Sequence, residues 1–183
     1  MITLNATNGT INLGSSGKIS GNAEFDGTVT KTAHPAFRAG CNSDISLSGN
    51  QTVAWQDVTS TGHFNIGGHY NTSNGAFTAP VEGIYNFYVA MIWKNMNDGE
   101  DMHDAFYLYY NTSGGASGGS LVNYDIRRAE YVAGTTGSGG YYSAFSTCML
   151  NMAANSSVYV RNRVALTLTG NTNFCYWQGY LIG

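Results

Sequence analysis

The chain has 183 residues, of which only 10% are charged, and a formal net charge of −3, where a typical domain carries about 25% charged residues. Eight basic side chains without a large cluster exclude nucleic-acid binding driven by counterion release, and no apolar run reaches the roughly 18 residues of a membrane helix. Hydrophobic residues at 43% and aromatics at 13% supply the material for a packed core, so the chain is not of the disordered class.

Strand signals run along the sequence, and sustained helical periodicity is absent. Residues 1–33 hold short segments such as Ile2-Thr3-Leu4, Thr10-Ile11-Asn12-Leu13 and Thr28-Val29-Thr30, with Phe25 as the only aromatic. They are too thin to bury a core alone and read as an anchoring or trimerising β arm. The N-terminus has no basic start or apolar stretch and does not read as a secretory leader. His34-Pro35 marks entry to a main domain over residues 34–183.

His63 and His69 share one face if their segment is extended. They read as ordinary polar or core histidines, with a pH- or metal-responsive ring about a trimer axis as the alternative. Asn74-Gly75 is a tight-turn dipeptide suited to a hairpin. From Gly83 to Lys94, Tyr85, Phe87, Val89 and Met91 share one face. Ile84, Tyr88 and Ile92 share the other with Asn86, so both faces are largely apolar and self-association is a natural destination for the second.

An acidic stretch follows: Asn95, Asn97, Asp98, Glu100, Asp101, His103 and Asp104. Asp98, Glu100, Asp101 and Asp104 are candidate Ca²⁺ ligands. The glycine is misplaced for an EF-hand, and the competing reading is a solvated acidic loop in a protein without a cofactor. Phe106, Leu108 and Tyr110 then oppose Tyr107 and Tyr109. Asn111–Ser120 and Gly134–Gly140 are Gly/Ser-rich and read as exposed connecting loops. Arg127-Arg128 and Arg161 with Arg163 read as partners of nearby acids across protomers. Tyr176, Tyr180 and Ile182 alternate with Trp177 and Leu181 at the end of the chain.

Cys41, Cys148 and Cys175 are an odd count with no tight pair in sequence. They read as free thiols, with one disulfide plus a spare thiol as the alternative. No HExxH, Gly-x-Ser-x-Gly or phosphate-binding glycine loop occurs, so the chain reads as no enzyme. Six Asn-x-Ser/Thr triplets start at Asn5, Asn8, Asn50, Asn71, Asn111 and Asn155, close to chance for this composition.

Asn65, Tyr70, Phe77, Gly83, Tyr85 and Phe87 resemble the signature of the globular head of complement component one, subcomponent q, whose jelly roll is shared with tumour necrosis factor. Trp177-Gln178-Gly179-Tyr180-Leu181-Ile182 resembles the last strand of that family. Leu150-Asn151-Met152 and Ser157-Val158-Tyr159-Val160 resemble its strand-turn-strand, with Asn155-Ser156 where Gly-Asp is usual. Thr59 stands where an aromatic is frequent, and Val89 replaces a common Phe or Tyr. No collagen-like stalk precedes the head. The resemblance implies an all-β jelly-roll β-sandwich over residues 34–183 and a homotrimer with the last strand, including Trp177, Gly179 and Tyr180, near its centre.

The arm from Asn8 to Gly21 resembles the short β repeats that open many phage fibre and tail-appendage proteins. That likeness implies a tailed-phage virion protein made in the host cytoplasm, serving as a capsid decoration, head fibre or short tail appendage. Residues 1–33 would hold capsid or tail proteins, and exposed loops would adhere to host surface glycans. A soluble lectin-like or complement-like recognition module is the alternative.

Overall fold

The computed structural model describes residues 34–94, 106–124 and 142–182. Among them are twelve strands and no helix: β1 Ala36–Gly40, β2 Ile45–Leu47, β3 Phe64–Ile66, β4 Tyr70–Asn71, β5 Ala76–Thr78, β6 Gly83–Lys94, β7 Phe106–Asn111, β8 Ser120–Tyr124, β9 Tyr142–Met152, β10 Ser157–Asn162, β11 Leu166–Leu168 and β12 Tyr176–Leu181. The arm, Asp98, Glu100, Asp101 and Asp104, Arg127-Arg128 and Gly134–Gly140 lie outside the described residues.

The strands form two sheets. The first runs β2-β11-β6-β12-β1-β3, with β9 on the free edge of β6, and the second runs β4-β5-β10-β7-β8. All pairings are antiparallel, and the longest joins β6 to β9 from Gly83↔Met152 to Trp93↔Tyr142. Two sheets with such crossovers, packed face to face over one core, make a jelly-roll β-sandwich.

Side-chain alternation fixes which face looks inward. In β6, Tyr85, Phe87, Val89, Met91 and Trp93 are buried, whereas Ile84, Asn86, Tyr88, Ala90 and Ile92 take the other face. A one-residue slip would send every ring to the wrong side. In β12, Trp177, Gly179 and Leu181 point in, and Tyr176, Gln178 and Tyr180 point out. The second sheet contributes Phe77, Phe106, Leu108, Val158 and Val160 to the same core.

The Asn74-Gly75 dipeptide does turn a hairpin, but not as a two-residue loop. The pairs Tyr70↔Phe77 and Asn71↔Ala76 leave residues 72–75 between the strands. Gly75 alone takes a positive φ, 73°, and donates its N–H to the Asn71 carbonyl at 2.8 Å. A Cβ there would lie 2.2 Å from the Val53 carbonyl oxygen, so close backbone approach demands glycine as much as the φ does.

The Gly/Ser stretch after Asn111 is exposed, as its composition suggests, yet it is tied down. Asn111 Nδ2 donates to the carbonyls of Gly114 and of Ser117, the latter at 2.8 Å. Gly115 N–H donates to Ser157 Oγ at 3.1 Å, Thr52 Oγ1 donates to the Ala116 carbonyl at 2.9 Å, and the Tyr159 hydroxyl donates to the Gly118 carbonyl. The loop therefore covers the outer side of β10 and hides Tyr159. It also occupies the Asn111 amide, the acceptor atom of one of the six sequence triplets.

Candidate assembly face and signature residues

Asn65 closes the β3–β4 turn from both sides. Its Nδ2 donates to the Tyr70 carbonyl at 2.7 Å, and its Oδ1 accepts the Tyr70 N–H at 3.1 Å. Gly67 and Gly68, both at positive φ, supply the bend between them. The turn delivers the Tyr70 ring to the core, stacked on Phe37 at 4.7 Å. The Tyr70 hydroxyl accepts the Trp55 N–H and donates to the Trp55 carbonyl, each at 2.9 Å. Burial pushes the Tyr70 phenol well above its ordinary range, so it stays a donor at any physiological pH.

The other signature residues converge on the same ring cluster. Phe77 packs against Phe37 at 5.1 Å and against Tyr85 and Phe87, each at 5.6 Å. The Tyr85 hydroxyl donates to the Val81 carbonyl at 2.9 Å and fixes the turn before β6. Gly83 opens β6 opposite Met152. Trp177 meets Phe37 edge-on at 4.8 Å and Phe87 at 6.1 Å. Gly179 lies between rings, since a Cβ there would come within 2.5 Å of Phe87 Cδ1. Such aromatic pairs add roughly 0.5–1.5 kcal/mol each beyond their area burial.

Phe37 and Trp55 belong to this cluster although no motif drew attention to them. Trp55 lies in an irregular segment, where neither period 2 nor period 3.6 is available. Phe37 sits in a five-residue strand whose alternation is too short to separate from chance. Asn155 holds a left-handed φ of 66°, a conformation that glycine and asparagine reach most easily. That backbone need explains why the turn between β9 and β10 accepts Asn155-Ser156. Its ends are pinned by Asn155 N–H to the Ala79 carbonyl at 2.7 Å and Ala79 N–H to the Ser156 carbonyl at 2.9 Å.

The outward face of the first sheet carries several exposed apolar side chains. Ile84 is 47% exposed, Phe145 49%, Met149 68% and Tyr180 43%. The pairs Asn86↔Met149 and Ala90↔Phe145 place the β9 residues beside β6, and Tyr180↔Asn86 places the last strand on its other side. A row of rings crosses the face: Phe145 stacks on Tyr88 at 6.3 Å, and Tyr88 on Tyr176 at 5.7 Å. The Arg38 guanidinium covers Tyr176 at 4.0 Å. Phe64 and Ile66 continue the apolar surface on β3. Contiguous apolar area of this kind is the mark of a surface that another molecule covers.

The two histidines do not share a face. The Gly67-Gly68 bend interrupts the segment; His63 is buried against Gly40, and the His69 ring folds back over Gly67. Arg161 donates Nε–H to the Asn50 carbonyl at 2.8 Å and lies 5.8 Å from the Tyr109 ring. Among the described residues no three His, Cys, Asp or Glu side chains gather as metal ligands.

Sheet order, the inward signature rings and the closing strand together define a jelly-roll head of the complement and tumour-necrosis-factor type. The chain belongs to the C1q domain family, whose model matches residues 36–182. Among solved structures it is similar to Eiger TNF from S. frugiperda, at 14% identity and a TM-score of 0.60, covering 82% of this chain and 94% of that one. It is also similar to the globular domain of zebrafish complement 1qA protein, at 14% identity and a TM-score of 0.52, covering 81% and 98%. No curated protein matches the chain.

Proposed function

We propose that three copies of the domain associate through the outward face of the first sheet and act as a non-enzymatic recognition head. The observation that carries this reading is the apolar face itself, with the ring row Phe145–Tyr88–Tyr176 at its centre. Burying about 800 Å² per partner is the usual scale of a stable interface, and the face spans five adjacent strands, β9, β6, β12, β1 and β3. Threefold closure gives every copy the same head-to-tail contacts and leaves no open end. The tethered loop 112–119 and the β4–β5 turn then stay in solvent as display surfaces. Sedimentation of the full chain, alone and with Met149→Glu and Ile84→Glu combined, tests the assembly. A trimer that the double variant reduces to folded monomers supports it.

A virion placement, with residues 1–33 seated on capsid or tail proteins and glycans as ligands, is a second proposal. It rests on the repeat-like arm sequence. Immunogold labelling of intact particles tests the placement, and a glycan array tests the adhesion. Particles without label, or array signals at background, would remove each in turn.

A further inference from the structure

The β1–β12 register pairs Phe37 with Gly179 and Ala39 with Trp177. One step further along, Cys41 stands opposite Cys175, and Cys41 N–H donates to the Cys175 carbonyl at 3.3 Å. Both side chains point into the core and are buried. The pair lies just beyond the strand ends, and the Cys175 N–H turns instead to the Asn171 carbonyl at 2.9 Å; opposed residues on antiparallel segments have Cα atoms about 4.5–5.5 Å apart, inside the window of about 4.4–6.8 Å for a disulfide. The Cys41 thiol donates to the Thr169 carbonyl at 3.5 Å and to the Cys175 carbonyl at 3.6 Å. Cys148 is half-buried and sits on β9, the strand at the far side of β6 from β12.

We propose that Cys41 and Cys175 are a disulfide-forming pair that joins the first and last strands of the sandwich when the chain folds in the presence of a small-molecule disulfide such as glutathione disulfide. One cysteine thiolate attacks the oxidant, forms a mixed disulfide and expels one glutathione thiolate. The second thiolate then attacks the protein sulfur of that mixed disulfide and expels the other glutathione thiolate. Two protein thiols are oxidised, one glutathione disulfide is reduced to two thiols, and the two protons lost by the protein end on the released thiolates. Both sulfurs are buried in the folded chain, so the exchange takes place before the core closes over them, and either thiolate serves as the attacking one. The closed bond shields itself in the core and links residues 134 positions apart. Long closures of this kind restrict the unfolded chain most strongly.

The test refolds the full chain from denaturant in a glutathione redox buffer, quenches with acid, and alkylates under denaturing conditions before mass spectrometry. The expected product carries one alkyl group, on Cys148, with a peptide linking Cys41 to Cys175; after reduction it carries three. A Cys148→Ser variant is expected to go from two alkyl groups when reduced to none when oxidised. The urea midpoint of the oxidised protein is expected to fall when dithiothreitol is added. Alkylation or glutathionylation of Cys41 and Cys175 as separate thiols in the refolded protein, or a link that includes Cys148, would overturn the proposal.

Discussion

The ring of Phe87 occupies the space where residue 179 would carry its Cβ, 2.5 Å from Cδ1 and 2.7 Å from Cε1, with Phe37 Cε1 at 2.9 Å on the other side. Gly179 and Phe87 are register partners across β12 and β6. The glycine is thus required by packing and not by φ. Gly179→Ala forces two buried rings apart in a dense core and should cost about 1–3 kcal/mol. A urea titration of the variant checks this, and an unchanged midpoint would show that the rings can move aside freely.

Tyr70→Phe keeps the ring stacked on Phe37 and removes one oxygen. That oxygen serves both the N–H and the carbonyl of Trp55. Leaving a buried N–H unpaired should cost about 1–3 kcal/mol. Chemical denaturation measures it, with Tyr85→Phe as a control that loses only one bond, to the Val81 carbonyl.

Asn155 at φ 66° gives a paired prediction. Asn155→Ala puts a side chain without local hydrogen-bonding capacity into the left-handed region and should destabilise by about 1 kcal/mol. Asn155→Gly should stay within about 0.5 kcal/mol of the parent, because relieved strain offsets the added freedom of the unfolded chain. Equal losses for the two variants would mean that the asparagine side chain, and not the backbone, holds the turn.

Asp57 supplies the pH dependence. The Ser60 hydroxyl first, then the N–H groups of Thr59 and Ser60 and the charge of His63, hold its carboxyl down to about 2. Oδ1 accepts those N–H groups at 2.9 and 3.0 Å. The folded-state value lies below that of the unfolded chain, about 3.9. Its contribution to stability is therefore complete above about pH 4 and is lost as pH falls towards 2. Asp57→Asn should flatten the decline of the urea midpoint over that window, and parallel pH profiles for the two proteins would refute this role.

Much of the fold was legible because jelly-roll strands write their burial in period 2. Gly83–Lys94 shows both of its faces in sequence, and Tyr85, Phe87, Trp177 and Tyr180 fall on the sides that alternation assigns them. Asn65 was legible through a motif, whereas its work, closing a turn with two hydrogen bonds, depends on a glycine pair whose φ values the sequence does not display. The histidine pairing failed at that same bend, because Gly67-Gly68 reverses the chain between His63 and His69. Phe145 and Met149 carry much of the exposed apolar face, yet β9 mixes them with Ser143, Thr147 and Asn151, so its outward side reads as polar until β6 is laid beside it. The opposition of Cys41 to Cys175 is likewise a product of tertiary register, spanning nearly the whole domain.

Under the proposed function, copies of the same chain cover the apolar face of the first sheet. Analytical ultracentrifugation of the purified chain at micromolar concentration tests it most directly. One species of three times the 19.6 kDa chain mass is expected. Monomers with an unchanged β-sheet spectrum are expected when Ile84 and Met149 are both replaced by Glu. A folded wild-type monomer at that concentration would contradict it.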